Sequence, residues 1–134
     1  GRNFSVAGML GSDVDAARFA GGCMAIFRLA PQDYHRFHFP VAGRVQSITA
    51  VPGRLYTVNP IAINSKINVL AENKRAVVII DTEALGRVAF VAIGATVVGS
   101  IVFTAKVTYW VMIVVGVVIV GVLLWLSLPL LLLL

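Results

Sequence analysis

The chain has 134 residues, a net charge of +5 and a hydrophobic fraction of 59%, so its length fits one domain and its apolar share exceeds the roughly 45–50% usual for soluble domains. Its single cysteine excludes an internal disulfide, and the lack of a long run of like charges excludes a basic nucleic-acid arm. Residues 1–10 lack the apolar core of a secretory signal, and a chain that begins with Gly1 is expected to be a fragment or a processed piece.

Short elements separated by turn residues make up most of the chain. Ser12 predicts an N-cap for a helix over residues 13–19. Apolar and β-branched runs predict strands over residues 23–29, 41–51, 54–58, 66–70 and 75–81. Residues 72–74 are predicted to form a polar turn. The run 87–104 contains Gly94 and Gly99, so it is typical of two strands or of one bent strand.

The stretch 107–134 is apolar and carries no charge. Because about 20 residues cross the hydrocarbon core of a bilayer as a helix, it predicts a membrane span. Tyr109 and Trp110 lie just after Lys106, where an interfacial aromatic belt would lie. The predicted fold is therefore a mainly β (α+β with short helices) domain over residues 1–106, followed by a C-terminal transmembrane helix over residues 107–134.

Both histidines of the chain, His35 and His38, lie between two prolines in the segment 27–45. Histidine changes charge near neutral pH, so this segment is a candidate site for proton transfer; the alternative is a structural pair. An extended segment would point the two rings to opposite faces, whereas a helical turn begun at Pro31 would give them one face. A zinc site is disfavoured, because only Cys23 and scattered carboxylates could complete its three or four ligands.

The segment FRLAPQDYHRFHFPVAG resembles the phosphatidylserine decarboxylase family, in the form F-R-L-A-P-x-D-Y-H-R-F-H-x-P-V-x-G. The resemblance continues through LYTVNPIAIN, NVLAENKRAVVII and VAIGATVVGSI, and it covers roughly residues 4–106. Long matches in the same order are more specific than one short motif. The resemblance implies decarboxylation of phosphatidylserine to phosphatidylethanolamine in phospholipid biosynthesis.

The resemblance also implies a proenzyme that cuts itself at a glycine–serine bond and converts the serine into an N-terminal pyruvoyl group. The carbonyl of that group condenses with the amine of phosphatidylserine and acts as an electron sink while carbon dioxide leaves. In the family, an aspartate, a histidine and a serine drive the self-cleavage. His38 matches that histidine, as general base, and His35 matches an earlier histidine with a part in decarboxylation or protonation. Asp33 does not match the aspartate, which lies upstream of the matched region.

The pyruvoyl-forming serine has no clear match. Gly99 and Ser100 match a family segment ahead of the cleavage motif, and apolar residues stand where a polar hairpin and a Leu-Gly-Ser-Thr-like segment would follow. We therefore expect an incomplete or inactive form that does not cut itself and forms no pyruvoyl group.

Two other hypotheses remain open. One is a non-enzymatic, membrane-anchored β module that binds acidic phospholipid. The other attributes the apolar tail to a shifted reading frame or a gene-model error. The expected partners are phosphatidylserine and a phospholipid membrane, in which the chain would be located as a single-pass or membrane-associated protein, and a homo-oligomer is left open. The basic balance of the chain suits an anionic membrane surface.

Overall fold

The computed structural model describes residues 5–104 in full and residues 119–124 as backbone. These parts of the chain contain strands β1 (Cys23–Arg28), β2 (Arg44–Val51), β3 (Arg75–Thr82), β4 (Gly86–Ile93) and β5 (Ile119–Leu124). They also contain the single-turn helices α1 (Val6–Leu10), α2 (Pro60–Ile63) and α3 (Val69–Glu72), and a 3-10 helix over Ala16–Phe19. The strands form one antiparallel sheet in the order β1-β5-β4-β3-β2. A mainly β fold with short helices is thus confirmed.

The predicted transmembrane helix over 107–134 is wrong, because β5 lies inside that stretch. β5 pairs with β1 on one side and with β4 on the other, so that Val122 lies opposite both Ala25 and Phe90. The surrounding sequence is rich in valine and isoleucine, whose branched side chains favour strands. No helix in the described ranges has the length and apolar character to span a bilayer. The rest of the predicted helix, 107–118 and 125–134, lies outside the described residues.

Strands β3 and β4 form the centre of the sheet and are buried on both faces. Along β3, Val77 and Ile79 pack on one face, and Val78 and Ile80 pack on the other. Since side chains alternate along a strand, a strand covered on both faces must be apolar at consecutive positions. This is why the run at 75–81 predicted a buried strand, which the structure confirms.

Each face of the sheet is covered by a different part of the chain. The first face packs against the N-terminal helices and α3, through side chains that include Met9, Phe19 and Val69. The second face packs against Phe37 and its neighbours in the histidine segment, together with Phe103 from the end of the described range. The histidine segment therefore lies directly on the sheet.

A buried arginine joins the helical layer to the sheet. Arg75 is 4% exposed, and its guanidinium donates to the carbonyls of Met9 at 2.6 Å, Ala71 at 2.7 Å, and Asn73 and Gly8 at 2.8 Å each. Burial lowers the pKa of Arg75 from its ordinary value. One side chain thus satisfies carbonyl groups of α1, of α3 and of the entry to β3.

The strand predicted over 54–58 is wrong. A single parallel bridge joins Arg54 to Asn73. The side chain of Asn73, which is fully buried, bonds the backbone of Tyr56. Its Oδ1 accepts from the Tyr56 N–H at 3.0 Å, and its Nδ2 donates to the carbonyls of Tyr56 and Gly94 at 2.8 Å. A side-chain amide replaces the partner strand that these backbone groups would otherwise need. The turn predicted at 72–74 therefore contains a core residue.

Two further elements differ from the predictions. The helix predicted to begin after Ser12 is a shorter 3-10 helix, and the carboxylate of Asp15 caps its first turn. The strand predicted over 66–70 is wrong, because α3 begins within it. Glu72 Oε1 accepts from the Asn68 N–H at 3.1 Å and so stabilises the helical turn.

The contacts of Arg75 predict a large difference between two arginine substitutions. Arg75→Met removes the donors of four carbonyls, and we expect the free energy of unfolding to fall by about 3 kcal/mol or more, since a buried polar group without a partner costs about 1–3 kcal/mol. Arg87→Met is the matched control, because Arg87 forms a partly exposed pair with Asp81 at 2.8 Å. Its loss should cost about 1 kcal/mol or less. Urea unfolding measures the free energy of unfolding of both variants. An equal decrease in the two variants would mean that the fold does not depend on the four hydrogen bonds of Arg75.

The placement of β5 predicts a specific set of nuclear Overhauser effects. In an antiparallel sheet a residue directs its Cα–H toward one neighbouring strand and its N–H toward the other, so one of these two protons of Val122 lies near the main-chain protons of Ala25 and the other lies near those of Phe90. We expect cross-peaks from Val122 to both neighbours in a labelled sample of the chain. Contacts between residues three positions apart along 119–124, without the cross-strand peaks, would show a helix instead.

Candidate active site

The histidine segment leaves β1 through a tight turn that Asp33 closes. The N–H of Asp33 donates to the Ala30 carbonyl at 2.9 Å, and the carboxylate of Asp33 accepts from the Ala30 N–H at 2.7 Å. Pro31 occupies the first inner position of the turn, which its fixed φ suits. The carboxylate of Asp33 is thus bonded within the turn that orients the segment.

Phe37 anchors the segment to the sheet between the two histidines. Its side chain is 4% exposed, and its ring centroid lies 5.1 Å from that of Phe90 and 5.8 Å from that of Phe103. Residues 34–39 form neither a helix nor a strand, so the helical turn left open by the sequence is not formed. A single buried aromatic ring therefore sets the positions of His35 and His38.

The hydrogen bond of His35 determines which ring nitrogen carries a proton. Its Nε2 lies 3.1 Å from the carbonyl oxygen of Pro31. A carbonyl only accepts, so Nε2 must be the N–H, and in the neutral ring Nδ1 is then an unprotonated acceptor. Nδ1 is buried and has no hydrogen-bond partner. A buried acceptor without a partner is costly in a folded chain, so this atom is a candidate for contact with a ligand.

His38 has a different environment. Its side chain is exposed, and its Nε2 lies 3.1 Å from the hydroxyl of Tyr34. The two rings are stacked, with centroids 5.8 Å apart and planes inclined by 11°. A phenol can donate or accept, so this bond does not select a tautomer. His38 is thus held at the surface by its contacts with Tyr34.

A cavity of about 410 Å³ lies beside His35, within the size range of small-molecule sites, about 300–1,000 Å³. Its polar wall consists of His35 and of Arg28, Thr57, Asn59 and Thr96. Its apolar wall consists of Leu29, Pro31, Val58, Ala95, Val97 and Val98. His38 is not among these lining residues. The structure therefore brings one histidine of the pair to the cavity and leaves the other outside it.

The four polar residues that join His35 in the wall were not predicted from the sequence. They come from three separate segments: the end of β1, residues 57–59 and the turn after β4. No short motif connects such distant positions. The one available signal was that LYTVNPIAIN and VAIGATVVGSI belong to the same ordered resemblance.

The turn after β4 is strained where it meets the cavity. Val97 has φ 65° and is 98% exposed, although a β-branched residue rarely adopts a positive φ. Hydrogen bonds between Ala95 and Val98 close the turn, and the Thr96 hydroxyl donates to the Leu55 carbonyl at 2.6 Å. Backbone strain of this kind concentrates at functional sites.

Ser100 lies just beyond this turn, exposed and outside any strand. The run 87–104, predicted to form two strands or one bent strand, contains one strand, β4, which ends at Ile93. Ser100 is not among the residues that line the cavity. In the described residues, no group of three or more potential metal ligands occurs.

The family model of phosphatidylserine decarboxylase matches residues 1–116, so the chain belongs to the phosphatidylserine decarboxylase family. The resemblance seen in the sequence is confirmed. The match includes the histidine segment, the cavity wall and the central strands.

Curated relatives of the chain are named phosphatidylserine decarboxylase proenzymes. Phosphatidylserine decarboxylase proenzyme 2 of Oryza sativa subsp. japonica is 62% identical over 104 residues, which are 77% of this chain and 17% of the relative. Proenzyme 3 of Schizosaccharomyces pombe is 51% identical over 104 residues, 78% of this chain and 11% of the relative. The proenzyme of Anaeromyxobacter sp. (strain K) is 46% identical over 101 residues, 75% of this chain and 36% of the relative. The chain thus spans between about a tenth and about a third of their lengths. No solved structure gives a significant match.

The anchor of the segment predicts the next pair of substitutions. Phe37→Ala removes a buried ring between Phe90 and Phe103, and we expect the free energy of unfolding to fall by about 3–5 kcal/mol. Tyr34→Phe is the control, because it removes only a hydroxyl from a side chain that is 59% exposed. It should leave the urea midpoint almost unchanged, although His38 loses its hydrogen bond to the Tyr34 hydroxyl. Similar midpoints for both variants would mean that Phe37 does not anchor the segment.

Proposed function

We propose that this chain forms part of a phosphatidylserine decarboxylase, which converts phosphatidylserine to phosphatidylethanolamine and carbon dioxide. The observation that carries the proposal is the buried, unpartnered Nδ1 of His35, in a residue that lines the cavity. Membership of the family supports the enzyme over a non-enzymatic lipid-binding module. The proenzyme names of the relatives support a form that becomes active by processing.

The cofactor that we propose for the complete enzyme is a pyruvoyl group derived from a serine that has no match in this sequence. When present, this group supplies the carbonyl that withdraws electrons from the substrate as carbon dioxide leaves. The cavity fits a small acyl group by its volume of about 410 Å³, and the unpaired acceptor of His35 fits a reaction that moves a proton. Ser100 is not a cavity residue, and we do not assign the group to it.

We assign His35 to the protonation step. Loss of carbon dioxide leaves electron density on the α-carbon of the substrate, which must then gain a proton. The Nδ1–H of a protonated His35 can supply it, since the Pro31 carbonyl holds the opposite nitrogen as a donor in both charge states. Donation returns the ring to the neutral tautomer that the structure contains, with Nδ1 unprotonated.

We assign His38 to self-cleavage, as the base for the serine hydroxyl. Its Nε2 already contacts a hydroxyl, that of Tyr34 at 3.1 Å, so a hydroxyl group can reach this nitrogen. Taking up the proton makes the serine oxygen a nucleophile toward the preceding carbonyl. The exposed position of His38 outside the cavity is compatible with a task separate from that of His35.

We propose a membrane surface as the place of action. The substrate is a membrane lipid, and a chain with a net charge of +5 is attracted to anionic lipid. This location requires no membrane-spanning helix.

A chimera tests the two histidine assignments. In the rice proenzyme, the matching 104-residue segment is replaced by the segment of this chain, and self-cleavage is followed on gels. Release of labelled carbon dioxide from phosphatidylserine measures the decarboxylation. We expect His38→Ala to block cleavage, because the serine loses its base. We expect His35→Ala to be cleaved but to decarboxylate about 10²–10⁴-fold more slowly, the usual contribution of a general acid.

Arg36→Ala is the matched control for this experiment. Arg36 lies between the two histidines, is exposed and does not line the cavity, so both activities should be retained. A cleaved chimera that releases no carbon dioxide would refute the proposed function. Full decarboxylation by His35→Ala would remove its assignment to the protonation step.

A further inference from the structure

We propose that Arg28 binds the phosphodiester of the substrate head group and so determines that the enzyme acts on a phospholipid and not on free serine. This inference rests on the proposed function. Arg28 is the second residue of the motif that carries the resemblance, but neither the resemblance nor the family match gives it a role. It follows from the position of the guanidinium, the charge of the cavity and the apolar turn at its edge.

One hydrogen bond holds the guanidinium of Arg28 at the cavity wall. Arg28 is the last residue of β1, and its Nε donates to the Val58 carbonyl at 2.8 Å. Guanidinium has five N–H donors, so this bond leaves the two terminal nitrogens for another acceptor. In the part of the chain that the structure describes, no ion pair involves Arg28, whereas Arg18 and Arg87 are each paired with an aspartate.

The charge of the cavity favours an anion. No carboxylate is among the described residues that line it, and its ionisable groups are Arg28 and His35. A cleft lined by one sign of charge concentrates ligands of the opposite sign. The planar, forked guanidinium matches two oxygens of a phosphate at once, which a serine without its phosphate cannot provide in the same position.

The turn at 95–98 gives the cavity an apolar edge. Val97, 98% exposed, lines the cavity, and the bond from Thr96 to the Leu55 carbonyl holds the turn that presents it. A phosphodiester at Arg28 would continue into a glycerol and its acyl chains. An exposed valine beside the cationic site fits that part of the lipid, while His35 contacts the amino-acid part of the head group.

Direct binding to the 134-residue chain tests the assignment without any decarboxylation. The probes are glycerophosphoserine, free serine and inorganic phosphate, titrated by calorimetry. We expect glycerophosphoserine to bind more tightly than either of the other two. Arg28→Gln should weaken its binding by about tenfold or more, as expected for lost hydrogen bonds to a charged group, and should leave the binding of serine unchanged.

Two variants control for charge and for folding. Arg36→Gln removes one positive charge from the same segment outside the cavity wall and should bind glycerophosphoserine as the wild type does. Arg28→Lys keeps the charge without the forked geometry, and its affinity should lie between those of wild type and Arg28→Gln. Equal urea midpoints show that the variants are folded. Unchanged binding by Arg28→Gln would overturn the proposal, and so would equal affinity of the wild type for inorganic phosphate and glycerophosphoserine.

The chimera separates this inference from the function on which it rests. In the cleaved chimera, Arg28→Gln should raise the KM for phosphatidylserine about tenfold with a smaller change in kcat. A chimera that decarboxylates equally well with Arg28→Gln would refute the role of Arg28 and leave the proposed function standing. A chimera without decarboxylation, in a chain that binds glycerophosphoserine through Arg28, would refute the function and leave the binding site standing.

Discussion

The structure depends on the satisfaction of buried carbonyl groups by Arg75. A guanidinium that is 4% exposed and donates to four main-chain carbonyls allows two single-turn helices to lie on the sheet. Helices this short cannot satisfy their own terminal carbonyls and are unstable alone. The buried side chain of Asn73 does the same for the chain at Tyr56 and Gly94. Removing either donor would leave polar groups without partners inside the apolar layer.

The buried side chain of Asn73 also positions the candidate site, through the segments that it bonds. Asn73 fixes the segment around Tyr56 and the start of the turn after β4, and these two segments provide much of the cavity wall. The opposite face of the sheet holds Phe37 and thereby the histidine segment. The wall and the histidines thus take their positions from opposite faces of the central strands. A rigid support of this kind is what a site for proton transfer requires.

Several features could be predicted from the sequence, because their causes are local. The apolar runs of β1 and β3 identified these strands, and the ordered motifs around His35 and His38 identified the family. The burial of Asn73 could not be predicted, since a polar residue between Glu72 and Lys74 is typical of an exposed turn. Its partners are 17 and 21 positions away, and nothing in the local pattern indicates them.

Two further features depended on contacts that no sequence pattern records. The place of Arg28 at the cavity depends on one carbonyl 30 positions along the chain. The apolar length of the stretch around β5 predicts a helix, whereas its many β-branched residues favour a strand. A buried strand and a membrane helix have the same hydropathy over a short run, and only the partner strands distinguish them.

The position of β5 in the sheet has a consequence for the order of events during synthesis. β1 is made before the other four strands, but its strand partner in the sheet is β5, and Arg28 lies opposite Ile119. At about 5–20 residues per second, the ribosome reaches β5 roughly 5–20 seconds after β1. During that interval β2, β3 and β4 can already pair with one another, whereas β1 still lacks the strand with which it pairs in the described sheet. Arg28, at the end of β1, is therefore fixed in the sheet only after β5 has been translated, whereas Phe37 can pack on Phe90 of β4 before that.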